Sequence, residues 1–173
     1  MRGTVVVAAI GAALLLAGCG AGSVTGRADA EGTVAGEPAF SPCDDIPDSA
    51  LIELGLDPGK ADRDFSGVQY PGWNRCRWPG SDHSVSVLAG TQSVDEIRRG
   101  SNAVDVADHD LDGRAVLTYR DPGDVRRERC NVAIRAGDGT AIVRVSVYNV
   151  DAGPEPCSTA LQAAATLSPS IPE

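Results

Sequence analysis

From residue 84 onward the chain alternates apolar and polar side chains in short runs, a period of two that belongs to strands with one buried face. Residues 84–89 (SVSVLA), 104–110, 114–119, 129–135 (RCNVAIR) and 141–147 (AIVRVSV) carry this pattern, and residues 75–78 form a shorter strand. Asp112-Gly113 separates the second run from the third, a dipeptide that tolerates positive φ and closes tight hairpins. Gly137-Asp138-Gly139 turns the chain between the last two runs, the clearest hairpin in the sequence. Helical signals occur at three places. Ser41-Pro42-Cys43-Asp44-Asp45 opens the first with a polar cap and acidic residues in the first turn; Ile46, Leu51, Leu54 and Leu56 are its apolar positions, and Gly55 with Pro58 stops it. Residues 59–74 read as a loop. Ser93 caps a second helix reaching Gly100, and Glu96 three residues on completes a capping box. Pro156-Cys157-Ser158-Thr159 opens the third, with Ala160, Leu161, Ala164 and Leu167 on one face. The pattern predicts an α+β domain, one antiparallel sheet with helices packed on one face.

The first nineteen residues follow another pattern. Arg2 precedes an uncharged apolar run of about fourteen residues, where a membrane-spanning helix needs roughly 20. A charged start, a short apolar stretch and small residues before a cleavage point mark a secretory signal. Leu16-Ala17-Gly18-Cys19 resembles the bacterial lipobox. That resemblance implies lipidation of the Cys19 thiol, removal of residues 1–18 and acylation of the new N-terminus. Several acyl chains hold a protein to a bilayer far more firmly than one. Residues 20–40 lack hydrophobic periodicity and are rich in Gly, Ala, Ser and Thr, the composition of a flexible tether. The division expected is a signal peptide over residues 1–18, lipidated Cys19 with its tether over 19–40, and one α+β domain over 41–173. The location implied is the extracytoplasmic face of the cell membrane.

Charge narrows the partners. The chain has 15 basic and 24 acidic residues; without Arg2 the balance is near −10. Nucleic acid asks for clustered positive charge, so it is excluded as a partner. Anionic headgroups repel such a chain, which leaves the lipid as its hold on the membrane. Only one of the basic residues is Lys, and Ala, Gly, Val and Asp abound, a bias that fits a GC-rich genome.

Four cysteines remain after Cys19: Cys43, Cys76, Cys130 and Cys157. In an exported chain an even number of separated cysteines implies disulfides, and the close C-x-x-C pairs of a zinc site are missing. Four cysteines allow three pairings, among which sequence alone does not choose. Cys43–Cys76 and Cys130–Cys157 are expected because each joins the start of a helix to a strand close in sequence. Loops of this size are worth roughly 3–4 kcal/mol each in the chain-entropy treatment. Aromatics make up only 4% of the chain, so the core is built of Val, Leu, Ile and Ala and the staples matter.

The order Pro42-Cys43, Leu54-Gly55-Leu56, Cys76-Arg77-Trp78, Gly113-Arg114-Ala115, Cys130-Asn131-Val132, Pro156-Cys157 and Ile171-Pro172 resembles a family of actinobacterial lipoproteins known as a domain of unknown function. The resemblance covers nearly all of the chain after the signal. It implies an envelope lipoprotein of α+β fold and brings no active site with it.

Local motifs offer little chemistry. Asp108, Asp110 and Asp112 with Gly113 match the first half of a calcium loop, but Tyr119 stands where a closing Glu is needed, and an acidic hairpin turn is the expected reading. Asp82, His83 and Ser84 hold the groups of a hydrolytic triad, yet neighbours on a strand point to opposite faces. His83 and His109 are expected as exposed turn residues. Trp78 is expected in the core beside Cys76. Trp73 suits either the core or a recognition patch. Arg126 and Arg127 are basic loop residues able to meet an acidic partner, with a solvated loop the simpler expectation. No metal, cofactor or catalytic residue is called for. The reading is a noncatalytic, membrane-anchored domain that binds an envelope protein or ligand. A carrier of lipid or other apolar cargo, needing a cavity between sheet and helices, and a hydrolase with an unfamiliar site are the alternatives. A tether of some twenty residues reaches about 25 Å from the bilayer, which suits capture.

Overall fold

The computed structural model describes residues 36, 38, 40–65, 67 and 71–173. The expected signal peptide and Cys19 lie outside the described residues, as does the expected tether apart from residues 36, 38 and 40. Phe40, at the tether's expected end, is buried in the core.

Six antiparallel strands form one sheet in the order β1-β2-β6-β5-β4-β3. They are β1 (Trp73–Pro79), β2 (His83–Gly90), β3 (Val104–Leu111), β4 (Arg114–Arg120), β5 (Arg129–Ala136) and β6 (Gly139–Val147). The four α-helices among the described residues are α1 (Pro42–Asp45), α2 (Asp48–Glu53), α3 (Val94–Arg99) and α4 (Pro156–Leu167). The α+β class, the antiparallel sheet and both cysteine pairs agree with the sequence pattern. Cys43 bonds Cys76 and Cys130 bonds Cys157, with Cα atoms 5.2 and 5.0 Å apart. Each bond pins a helix start, α1 or α4, to a strand beneath it.

Period-two alternation sorts the strands into two faces. Val85, Val87, Val132, Ile134, Val143 and Val145 point to one face and meet Trp78, Leu51, Ala160, Ala164 and Leu167 in the main core. The small residues of α4 let its axis sit close to β5 and β6. Ile97, Leu117, Tyr119, Ala133 and Ile142 form a second cluster on the opposite face. Helix α3 covers part of that face, held by the expected box: the Ser93 hydroxyl accepts from the Glu96 N–H, and the Glu96 carboxylate accepts from the Ser93 N–H.

Three local expectations change. The single first helix is two, because Pro47 interrupts it: Ile46 before the proline is forced to extended backbone (φ −82°, ψ 121°) by clash with the ring. The β5–β6 turn is the pair Gly137-Asp138, with Gly139 already in β6 opposite Ala136. Strand β2, expected with one buried face, is buried on both: Ser84 is 1% and Ser86 4% exposed, and β2 lies between β1 and β6. The Asp112-Gly113 turn forms as read, both residues at positive φ (54° and 88°).

The end of the chain is tied down by one side chain. The Arg114 guanidinium donates to the carbonyls of Ser168, Ile171, Arg135 and Pro172 and to the Ser168 hydroxyl. A planar fork with five donors suits such a convergence of carbonyls.

Candidate functional site

The face of the sheet that α4 does not cover holds an open groove of about 530 Å³ beside α3. Strand register builds its floor. Arg75, Leu88, Ile142, Ala133 and Leu117 lie in one cross-strand row. Arg77, Ser86, Arg144, Asn131 and Tyr119 lie in the next. Leu88, Ile97 and Ile142 line the groove with apolar carbon, while Trp73, Phe65 and Tyr119 bring aromatic rings and Glu96, Asp121 and Arg144 bring charge.

Each ring is placed by a definite neighbour. Trp73 pairs with Gly90 across β1 and β2, and its indole lies against the glycine: a Cβ at Gly90 would come within 2.7 Å of the ring. Only a residue without a side chain admits that approach. The Arg75 guanidinium stacks on Phe65, 4.8 Å from the ring centre, within cation–π range. Tyr119 is 5% exposed, and burial pushes its phenol up to about 12. Among the described residues no hydrogen bond reaches the Tyr119 hydroxyl, and it is not one of the sealed polar atoms, so it opens on the groove.

The charges are organised in pairs. Arg144 Nη2 lies 3.3 Å from Asp121, and Arg144 Nε donates to Asn131 Oδ1 at 2.7 Å. Asn131, fully buried, donates onward to the Tyr119 carbonyl. Its amide therefore aims Arg144 at Asp121 on the rim. Glu96 is occupied by the capping box, whose backbone N–H and hydroxyl from Ser93 hold its carboxyl below the usual range. A second groove of equal volume borders the other side of α3. Its three cations have partners: Arg98 pairs with Asp108, Arg114 holds the chain end and Arg135 Nε donates to the Gly137 carbonyl.

The residues singled out from sequence are dispersed. Trp78 is buried in the core as expected, and Trp73 is half-buried in the groove. Asp108 faces α3 and pairs with Arg98, whose guanidinium lowers its carboxyl; Asp110 accepts from the Gly113 N–H and Asp112 sits in the turn. No group of three His, Cys, Asp or Glu side chains among the described residues is placed to hold a metal ion. His83 pairs with Asp82 at 2.6 Å, and that hydrogen bond lowers the Asp82 carboxyl. Ser84 points to the other face, sealed from solvent with no partner for its hydroxyl. The three do not assemble into a nucleophile and its base. Neither histidine is an exposed turn residue: His83 opens β2, and His109, half-buried in β3, meets the Thr118 hydroxyl at 3.0 Å. Arg126 and Arg127 lie in the exposed β4–β5 loop, paired with Glu128 and Asp105.

Sequence reasoning passed over Tyr119, Asn131 and Arg144. The available signal was a polar residue inside each of two strongly apolar runs, RCNVAIR and AIVRVSV, read there as ordinary alternation.

No helix among the described residues is long and apolar enough to cross a membrane. The family model described as a protein of unknown function (DUF3558) matches residues 14–170. No curated protein matches the chain. No solved structure matches it.

Proposed function

The chain belongs to the DUF3558 family, and from that premise we propose that it is a lipid-anchored domain outside the membrane that binds a component of the cell envelope without altering it. The observation that carries the reading is the groove beside α3, where aromatic rings, aliphatic carbon and a rim ion pair converge on one open surface. Small-molecule sites combine apolar walls with a few fixed polar groups in ~300–1,000 Å³, and about 530 Å³ falls in that range. Cys19 supplies the anchor and the segment between it and the docked Pro38 and Phe40 the reach. The sealed hydroxyl of Ser84 leaves the Asp82-His83-Ser84 run without an accessible nucleophile, which counts against hydrolysis. An apolar cargo lying in the groove strips water from Asp121 and Arg144, which counts against a lipid carrier.

Two measurements test this. Cys19→Ala is expected to move the chain from the membrane fraction to the soluble fraction; a variant still held in membranes removes the anchor from the reading. A photoreactive residue in place of Gln92, on the exposed rim, is expected to form an adduct in intact cells that Trp73→Ala abolishes. Adducts that form only from positions outside the groove place the function elsewhere.

A further inference from the structure

We propose that the groove beside α3 takes a neutral saccharide, with the C–H face of a sugar ring on Trp73 and its hydroxyls on Tyr119 and the Asp121–Arg144 pair. This rests on the binding role proposed above and names its ligand class. Three independent features point to it. First, the indole of Trp73 has one side against Gly90 and belongs to the groove lining, a rigid platform of the sort on which the weakly polarised C–H bonds of a pyranose ring settle. Second, the Tyr119 hydroxyl, 5% exposed as a residue, has no hydrogen-bond partner among the described residues. That hydroxyl is not among the sealed, unpartnered polar atoms of the described residues, so it opens on the groove, where a sugar hydroxyl, both donor and acceptor, meets it in either sense.

Third, the charges at the rim already have partners. Asp121 and Arg144 stand 3.3 Å apart, with Arg144 fixed by the buried Asn131 amide at 2.7 Å, and Glu96 is held in the capping box. An anionic ligand has to compete with Asp121 for Arg144 or draw Arg75, which also lines the groove, from the Phe65 ring, and a cationic one has to compete with Arg144 for Asp121. A vicinal diol breaks none of these contacts: one hydroxyl donates to the carboxylate while its neighbour accepts from the guanidinium. Planar polar groups beside an aromatic ring also select against an acyl chain, which leaves the carboxylate and guanidinium desolvated and unanswered.

The chain has two tryptophans, and Trp78 is 1% exposed in the core, so ligand-induced changes in tryptophan emission report on Trp73. The full chain, solubilised in a detergent without a sugar headgroup, is titrated with chitotetraose, mannotetraose and maltotetraose. A saturable emission change is expected with at least one of them. Tyr119→Phe, which keeps the ring in its packing and removes only the hydroxyl, is expected to weaken that binding about fivefold. Equal affinity in Tyr119→Phe overturns the assignment of the site. If no saccharide shifts the emission but an envelope lipid extract does, the ligand class falls and the binding role of the groove stands. If neither shifts it, both fall.

Discussion

At the scale of single residues, the groove depends on polar atoms placed where the pattern calls for carbon. Tyr119 shows the consequence most directly. Burial raises its phenol from 10.0 to about 12, because the phenolate loses more by leaving water than the neutral form does. In the unfolded chain the group ionises near its ordinary value. The folded state therefore binds the proton more tightly, and the associated stability is complete below pH 10 and lost as pH rises from about 10 to about 12. Melting temperatures measured from pH 8 to 12 are expected to fall across that window. Tyr119→Phe is expected to flatten the fall, and an unchanged alkaline slope in the variant contradicts the assignment. Asn131 and Arg144 act beside it as a positioned pair rather than as solvated strand residues. Their role was not legible in the chain because i, i+2 alternation reports which face a residue occupies and not whether that face is covered.

At the scale of elements, short α3 is the piece that turns a sheet face into a groove. Six residues make a marginal helix on their own, and this one stands on its capping box and on Ile97 packed into the second cluster. The box was readable as Ser93 followed by Glu96, since capping is local chemistry. Its place over the sheet was not, since that requires β4, β5 and β6 to be paired first. Ser93→Ala is expected to cost about 1 kcal/mol in urea unfolding and to speed amide exchange across residues 94–99. A loss confined to global stability, with local exchange unchanged, shows that the helix does not depend on its cap. The two sheet edges are managed differently. Beside β1 an isolated bridge between Asp62 and Arg77 occupies the backbone. Along β3, Asp105 at φ 52° interrupts the register and charged side chains face outward, devices that discourage pairing with another chain.

At the scale of the molecule, two disulfides tie α1 and α4 to the face of the sheet that carries the main core. Cys130, fully buried, and Cys157 close a loop containing β5, β6 and the β6–α4 connection. Replacing both with Ala is expected to cost ~2–5 kcal/mol by denaturant unfolding, with the larger part arising from freedom regained by the unfolded chain. A difference under about 1 kcal/mol shows instead that α4 is held by its own apolar contacts. The same two bonds leave the groove untouched, because they lie on the opposite face. The main core and the groove are thereby carried by different sides of one sheet.

The sequence by itself determined what local chemistry and short-range order can express. Period-two runs with Asp112-Gly113 and Gly137-Asp138 between them specified hairpins. Ser93 with Glu96 specified a helix start, and four well-separated cysteines specified two disulfides without choosing among the three pairings. Pro47 was equally legible in principle, as the reason α1 and α2 are separate. Only the tertiary structure decided that β6 lies between β2 and β5, that α3 crosses the face left open by α4, and that Trp73, Tyr119, Asp121 and Arg144 share one surface. The physical reason is that strand order and face coverage arise from apolar area and hydrogen bonds between segments tens of residues apart. No window of the chain contains both sides of those contacts.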